Sequence, residues 1–236
     1  MSVTMAVATV VRGVFFDIDG TLLDSNGAHA RAWSEALRES GFDLPVERLL
    51  PLIGMGGDKL LEITSGLAAD SERGKRISER SGAIFDERYL HDLRPFPRAR
   101  ELLQELRARG VLVGIATSAG AQHCAKLLDQ AAVRNLIELS VTSDDVRNSK
   151  PDPDIVAKAV ERAELPKGAL VLVGDTPYDV EAAERAGIAC IAVRSGGWND
   201  DRLAGAVAIH DDVAAVREHL LAAPGPWCLP QRRKRA

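Results

Sequence analysis

Two aspartates two residues apart, Asp17 and Asp19, end an apolar run and are followed by Gly20 and Thr21. Carboxylates this close repel each other unless a cation or a shared proton relieves them. Alone, the pattern is equally a strand-end turn with solvated aspartates. Three further clusters change that weighing. Thr117-Ser118 closes a second apolar run, Ser149-Lys150-Pro151 precedes a helical pattern, and Gly174-Asp175 ends a third run with Asp179 just inside the next helix. Brought to one edge, they collect four carboxylates, one ammonium and hydroxyl donors. Such a set suits Mg²⁺, which takes oxygen ligands and shares them with substrate phosphate, and helix N-termini add anion-binding N–H groups.

The elements that must position these groups are legible as alternation. Continuous apolar runs at 13–18, 111–117, 169–174 and 188–193 read as strands covered on both faces, with weaker ones at 139–142 and 206–209. Helical patterns lie between them at 98–109, 121–130, 154–163, 178–186 and 213–221, and Gly110 and Gly187 close two of these. This predicts an α/β fold with a doubly wound, parallel, Rossmann-like sheet, which binds ligands beyond its strands' carboxyl ends. Residues 26–92 break the rhythm: Ala30, Trp33, Ala36 and Leu37 share one helical face, Leu60 to Thr64 start another helix, and 77–90 form a third. The expected organisation is a core of 1–25 and 93–223, a small helical domain of 26–92 inserted after the first strand, and a disordered tail over 224–236 that ends in Arg232-Arg-Lys-Arg235.

Composition excludes several classes. The chain has 236 residues, 30 Lys+Arg against 34 Asp+Glu, a net charge of −4 and 4% aromatics, which fits neither a basic nucleic-acid surface nor base-stacking platforms. No apolar run has the length of a membrane helix. Cys124, Cys190 and Cys228 are widely spaced and form no zinc or disulfide pattern, so a cytoplasmic protein is expected, as monomer or homodimer.

The motifs in this order, Asp17-x-Asp19-Gly-Thr21-Leu-x-Asp24-Ser25, Thr117, Ser149-Lys150-Pro151 and Gly174-Asp175-x-x-x-Asp179, resemble those of the haloacid dehalogenase-like hydrolases, specifically the capped phosphatase branch of phosphoglycolate phosphatases and beta-phosphoglucomutase-like proteins. The likeness spans roughly Val14 to Leu221. It implies hydrolysis of small phosphorylated metabolites, with Asp17 as nucleophile forming an aspartyl-phosphate and Asp19 as general acid and then base. Thr117, Ser118, Gly20 and Lys150 would meet the phosphoryl group. Mg²⁺ would be held by Asp17, the Asp19 backbone carbonyl and Asp175, with Asp179 behind. Asp19 argues against the dehalogenases, which lack it, and against cation pumps, which carry threonine there.

The resemblance also makes 26–92 a cap that closes over the site. Gly54-Met-Gly-Gly-Asp58-Lys59 resembles its entering loop, with Lys59 on substrate; a solvated turn is the plainer reading. His29, in His-Ala-Arg-Ala-Trp33, would couple Asp19 to closure, or is simply a helix histidine. His91, His123, His210 and His219 have no metal-binding spacing. Two alternatives accompany the phosphatase. A hexose-phosphate phosphomutase is opposed by Ser118-Ala-Gly-Ala after Thr117 and by Gly174 where mutases carry an acidic residue. A non-catalytic phospho-ligand-binding protein is opposed by the intact motif set.

Overall fold

The computed structural model describes residues 10–222 together with 225, 227 and 228. Six strands, β1 (Gly13–Phe16), β2 (Leu112–Ala116), β3 (Leu139–Val141), β4 (Leu170–Gly174), β5 (Ala189–Val193) and β6 (Ala208–His210), form one sheet in the order β3-β2-β1-β4-β5-β6. Every pairing is parallel. The chain adds β2 and β3 on one side of β1, then returns to lay β4 on the other, so the crevice at the switch opens at the ends of β1 and β4.

Both faces are covered, as the unbroken apolar strands require. Val14 and Phe16 point into one apolar cluster with Leu102, Leu106 and Val216, while Phe15 points into the other with Ile155, Ala159 and Ala182. Helices α1 (Asn26–Glu39), α2 (Val46–Leu49), α3 (Gly57–Ser65) and α4 (Glu72–Arg88) all fall between β1 and β2. They share the first cluster through Ile18, Leu22 and Leu23. After them come α5 (Ala99–Ala108), α6 (Ala121–Gln130), α7 (Asp154–Ala163), α8 (Pro177–Ala186) and α9 (Val213–Ala222).

The four-residue α2 is too short to show a periodicity and escapes the sequence reading. β1 stops two residues before the expected end at Ile18, because the Ile18 carbonyl accepts from Leu22 N and Leu23 N and closes a turn. The tail expected over 224–236 lies mostly outside the described residues. Trp227 within it is not free: it is buried at 4% exposure, and its carbonyl accepts from Val11 N at 2.8 Å. An indole needs such a seat more than the flanking Pro and Gly suggest. Among the described residues no helix is long and apolar enough to cross a membrane.

Candidate active site

The site grows from the two central strands. Asp17 N still donates to Val173 O at 2.9 Å, so β1 hands Asp17 directly to the sheet edge beside the end of β4. Gly20 then adopts φ +73°, and a Cβ there would lie 2.2 Å from Asp175 Oδ2. Only glycine fits that turn. Thr21 Oγ1 donates to Asp175 Oδ1 at 3.1 Å and Asn26 Nδ2 to Oδ2 at 2.9 Å, which fixes the β4 aspartate from the β1 side. Thr176 caps α8 in a reciprocal box with Asp179. Asp179 Oδ2 thereby accepts from Thr176 N and Oγ1, and Oδ1 accepts from Lys150 Nζ at 2.6 Å. Lys150, in a loop whose Lys150–Pro151 peptide is cis, also meets Asp17 Oδ1 at 3.1 Å.

One fully buried ammonium thus faces Asp17 and Asp179, and with Asp175 these make three buried carboxylates whose oxygens lie within 4.8 Å of one another. Burial raises the Asp17 carboxyl to about 7, opposed by Lys150 and assisted by Asp179 and Asp19. Burial, then Asp179 and Asp17, raise Asp175 well above the ordinary carboxylate range. Burial also works against the Lys150 charge, but Asp17 and Asp179 outweigh it and keep it protonated. Negative charge in excess, oxygen donors only, and a carboxyl held near half-protonation at neutral pH together fit a hard divalent cation, which takes the place of the proton.

Asp19 is set apart. Its side chain turns from the triad to accept from Ser25 Oγ at 2.5 Å and to meet His29 Nε2 at 2.9 Å. Burial alone would raise it. His29, then His123 and Ser25, outweigh that and hold it at about 2, so it is ionised at neutral pH. His29 stacks on Phe85 of α4 at 4.1 Å between ring centroids.

Asp17, Asp19, His29, Thr117 and Ser118 wall one cavity of about 550 Å³ between the helical segment and the core. Thr117 is buried and its Oγ1 accepts from Ala119 N at 3.1 Å; Ser118 Oγ donates to Gly54 O at 3.4 Å. Three expected substrate contacts do not line that cavity, and Lys150, fully buried against Asp17 and Asp179, is one of them. Gly20 lies behind Asp175, its carbonyl taken by Ser195 Oγ at 2.6 Å. Lys59 is drawn to the loop around Lys150 instead, donating to Ser149 O at 2.5 Å and Asp152 Oδ2 at 2.6 Å, while Asp58 Oδ1 accepts from Ser149 Oγ at 2.6 Å.

The sequence reading missed Asn26, Ser195 and Asp152, whose partners lie far away in the chain, and gave His123 no role. His123 on α6 lines the cavity beside His29 and Phe85. Its helical spacing from Lys126, also a lining residue, is the one signal that placed them on a common face.

Residues 14–193 match the family model described as haloacid dehalogenase-like hydrolase. A phosphoglycolate phosphatase of Nitrosospira multiformis is 31% identical, with 81% of this chain and 86% of that protein covered. That of Escherichia coli K12 is 29% identical, with 79% and 82% covered. A solved hydrolase of Pseudomonas syringae superposes with a TM-score of 0.82 at 32% identity, over 90% of this chain and 99% of that one.

Proposed function

The chain belongs to the haloacid dehalogenase-like hydrolase family, and from that premise we propose that it is a Mg²⁺-dependent phosphatase of small phosphorylated metabolites, with Asp17 as the phosphoryl acceptor. The observation that supports this most is the contrast between two aspartates on one turn: Asp17 shares Lys150 with Asp179 beside the metal-compatible triad, while Asp19 faces the same cavity with its charge held by His29 and Ser25.

An Asp17 oxygen attacks phosphorus, the bond from phosphorus to the leaving oxygen breaks, and that oxygen takes a proton from Asp19. Water then attacks the phospho-Asp17, gives its proton to Asp19, and phosphate leaves with the carboxylate restored. In the resting site Asp19 is ionised, the state required of the base. Entry of a phosphoryl dianion raises its proton affinity, and a proton taken up from solvent then loads it as the acid. Lys150 keeps Asp17 from repelling the incoming anion, and Thr117 reaches a phosphoryl oxygen. Asp17, Asp175 and the Asp19 carbonyl, with Asp179 behind, would hold Mg²⁺, which would supply positive charge to the phosphoryl oxygens when bound. The helical segment, seated on the core through Lys59 and Asp58, excludes water as a cap.

The phosphomutase alternative is not favoured. A Cβ at Gly174 would lie 2.4 Å from Asp179 Cγ, so an acidic side chain there has no room while Asp179 holds Lys150.

The test is phosphate release from a panel of phosphate monoesters with Mg²⁺ or EDTA. EDTA should abolish turnover, and Asp17→Asn should lower it by about 10³-fold or more. Wild-type rates in both Asp17→Asn and Asp19→Asn would overturn the mechanism.

A further inference from the structure

Beyond the aspartates the cavity has a second half, and its chemistry is uneven. Part of its lining is apolar: Trp33, Ile53, Leu60 and Phe85. Its charged part comes from α4 and α6, where Glu79, Asp86 and Lys126 also line it. Among the described lining residues Lys126 is the only ammonium, and Asp86 Oδ2 already takes it at 2.5 Å. Glu79 is a further carboxylate, so this half carries a net negative charge. His123 adds none at neutral pH, since burial and then His29 lower it to about 4.

The chamber keeps this size with the helical segment seated. Lys59 and Asp58 tie the segment to 149–152, Asp86 ties α4 to α6, and Tyr178 Oη donates to Pro51 O at 2.6 Å. The volume of about 550 Å³ is therefore that of a bridged cavity. A two-carbon acid would leave most of it empty, and among the described lining residues no unpaired lysine or arginine stands ready to receive its carboxylate.

Resting on the phosphatase reading, we propose that this chamber selects phosphate monoesters whose leaving group is an uncharged, hydroxylated ring, as in a sugar or a nucleoside, and discriminates against carboxylate-bearing esters such as 2-phosphoglycolate. A ring lays its apolar face on Trp33 and Phe85 and its hydroxyls toward the Ser78, Gln122 and Asp86 end of the lining.

The experiment compares kcat/KM for glucose 6-phosphate, adenosine 5′-monophosphate, 2-phosphoglycolate and ethyl phosphate, in wild type and two variants. At least one ring ester should exceed 2-phosphoglycolate by about tenfold or more, and which ring wins separates sugar from nucleoside. Gly82 lines the chamber on α4, and a Cβ there meets nothing within 4 Å, so Gly82→Phe fills the space and also removes a helix-interior glycine. It should lower the ratio of the preferred ring ester to ethyl phosphate by about tenfold. Glu79→Lys, at an exposed position, puts an unpaired cation at the chamber and should raise 2-phosphoglycolate relative to the ring ester, even if Gly82→Phe does not fold. Preference for 2-phosphoglycolate in the wild type, or ratios that neither folded variant moves, overturns the proposal while the phosphatase reading stands. Turnover of none of the four esters removes that reading, and the proposal with it.

Discussion

Lys150 gives its ammonium to Asp17 at 3.1 Å and Asp179 at 2.6 Å with no solvent exposure, whereas Lys59, reaching the same loop from the helical segment, meets Asp152 at 2.6 Å with 26% of its side chain exposed. The distances are alike, and the consequences are not. A buried ion pair is held against a large desolvation penalty, so removing one partner strands the other charge in a medium that cannot solvate it. A pair open to water gains little and is screened by salt. Lys150 is thus part of the reacting site's electrostatics, while Lys59 is a tie between the helical segment and the loop that carries Lys150.

The largest break in that contrast is Lys150→Met. It leaves Asp17 and Asp179 without their cation, and the expected loss is about 3–5 kcal/mol of folding stability, read by urea titration. Phosphatase turnover should fall by about 10²-fold or more, since the positive charge beside the transferring group is gone. Added Mg²⁺ should recover part of the stability by neutralising the same carboxylates, and little of the rate. A variant as stable as the wild type in EDTA would mean that the buried carboxylates had already taken up protons to compensate.

The buried half of this comparison was legible in the sequence and the exposed half was not, for a physical reason. Asp17, Thr117, Lys150 and Asp175 sit at or just beyond the ends of apolar strands or before a helix, and a parallel sheet must bring those ends together. Continuous apolar runs therefore place the groups without any knowledge of contacts. Lys59 and Asp152 are 93 positions apart, and their meeting depends on how α3 is seated on the core. No periodicity encodes that. The loop at 54–57 resembles one that enters the site, and it does approach the core closely: a Cβ on Gly54, at φ +99°, would lie 2.6 Å from Thr176 Cγ2. The loop's partner is the 149–152 and Thr176 side of the site, however, and the direction of approach was beyond what residue types can specify. The strand boundaries show the same limit on a smaller scale, since the Ile18 turn belongs to the carbonyl geometry and not to the apolar pattern.

Between the two lysines lies the Asp19–His29 pair, with side chains 13% and 16% exposed. His29, with His123 and Ser25, holds the folded Asp19 carboxyl at about 2 against an ordinary 3.8, despite burial. A depressed acid stabilises the fold above its unfolded value and loses that contribution as pH falls through the folded one. The expected contribution is about 2 kcal/mol, present above about pH 4 and fading toward pH 2. His29→Asn should remove most of it, so that stability measured by urea titration falls less steeply between pH 4 and 2 than in the wild type. An unchanged slope would show that His29 does not set the Asp19 charge.

The smallest effect sharpens the contrast most. Lys59→Met deletes bonds to Ser149 O and Asp152 Oδ2, but Asp152 keeps Arg185 at 2.9 Å and its carboxylate remains within reach of water. The expected stability cost is only about 0.5–1 kcal/mol. The functional readout is different in kind. If Lys59 works as a tie, wild-type kcat/KM should fall as salt rises from 0.05 to 0.5 M by about the same few-fold that the substitution causes, because screening loosens the same bond. The Lys59→Met enzyme, with no such bond to screen, should lose less over that range. A variant as salt-sensitive as the wild type would reduce Lys59 to a solvated side chain, and the seating of the helical segment would then rest on Asp58, Ser118, Tyr178, the Asp86–Lys126 pair and apolar contact.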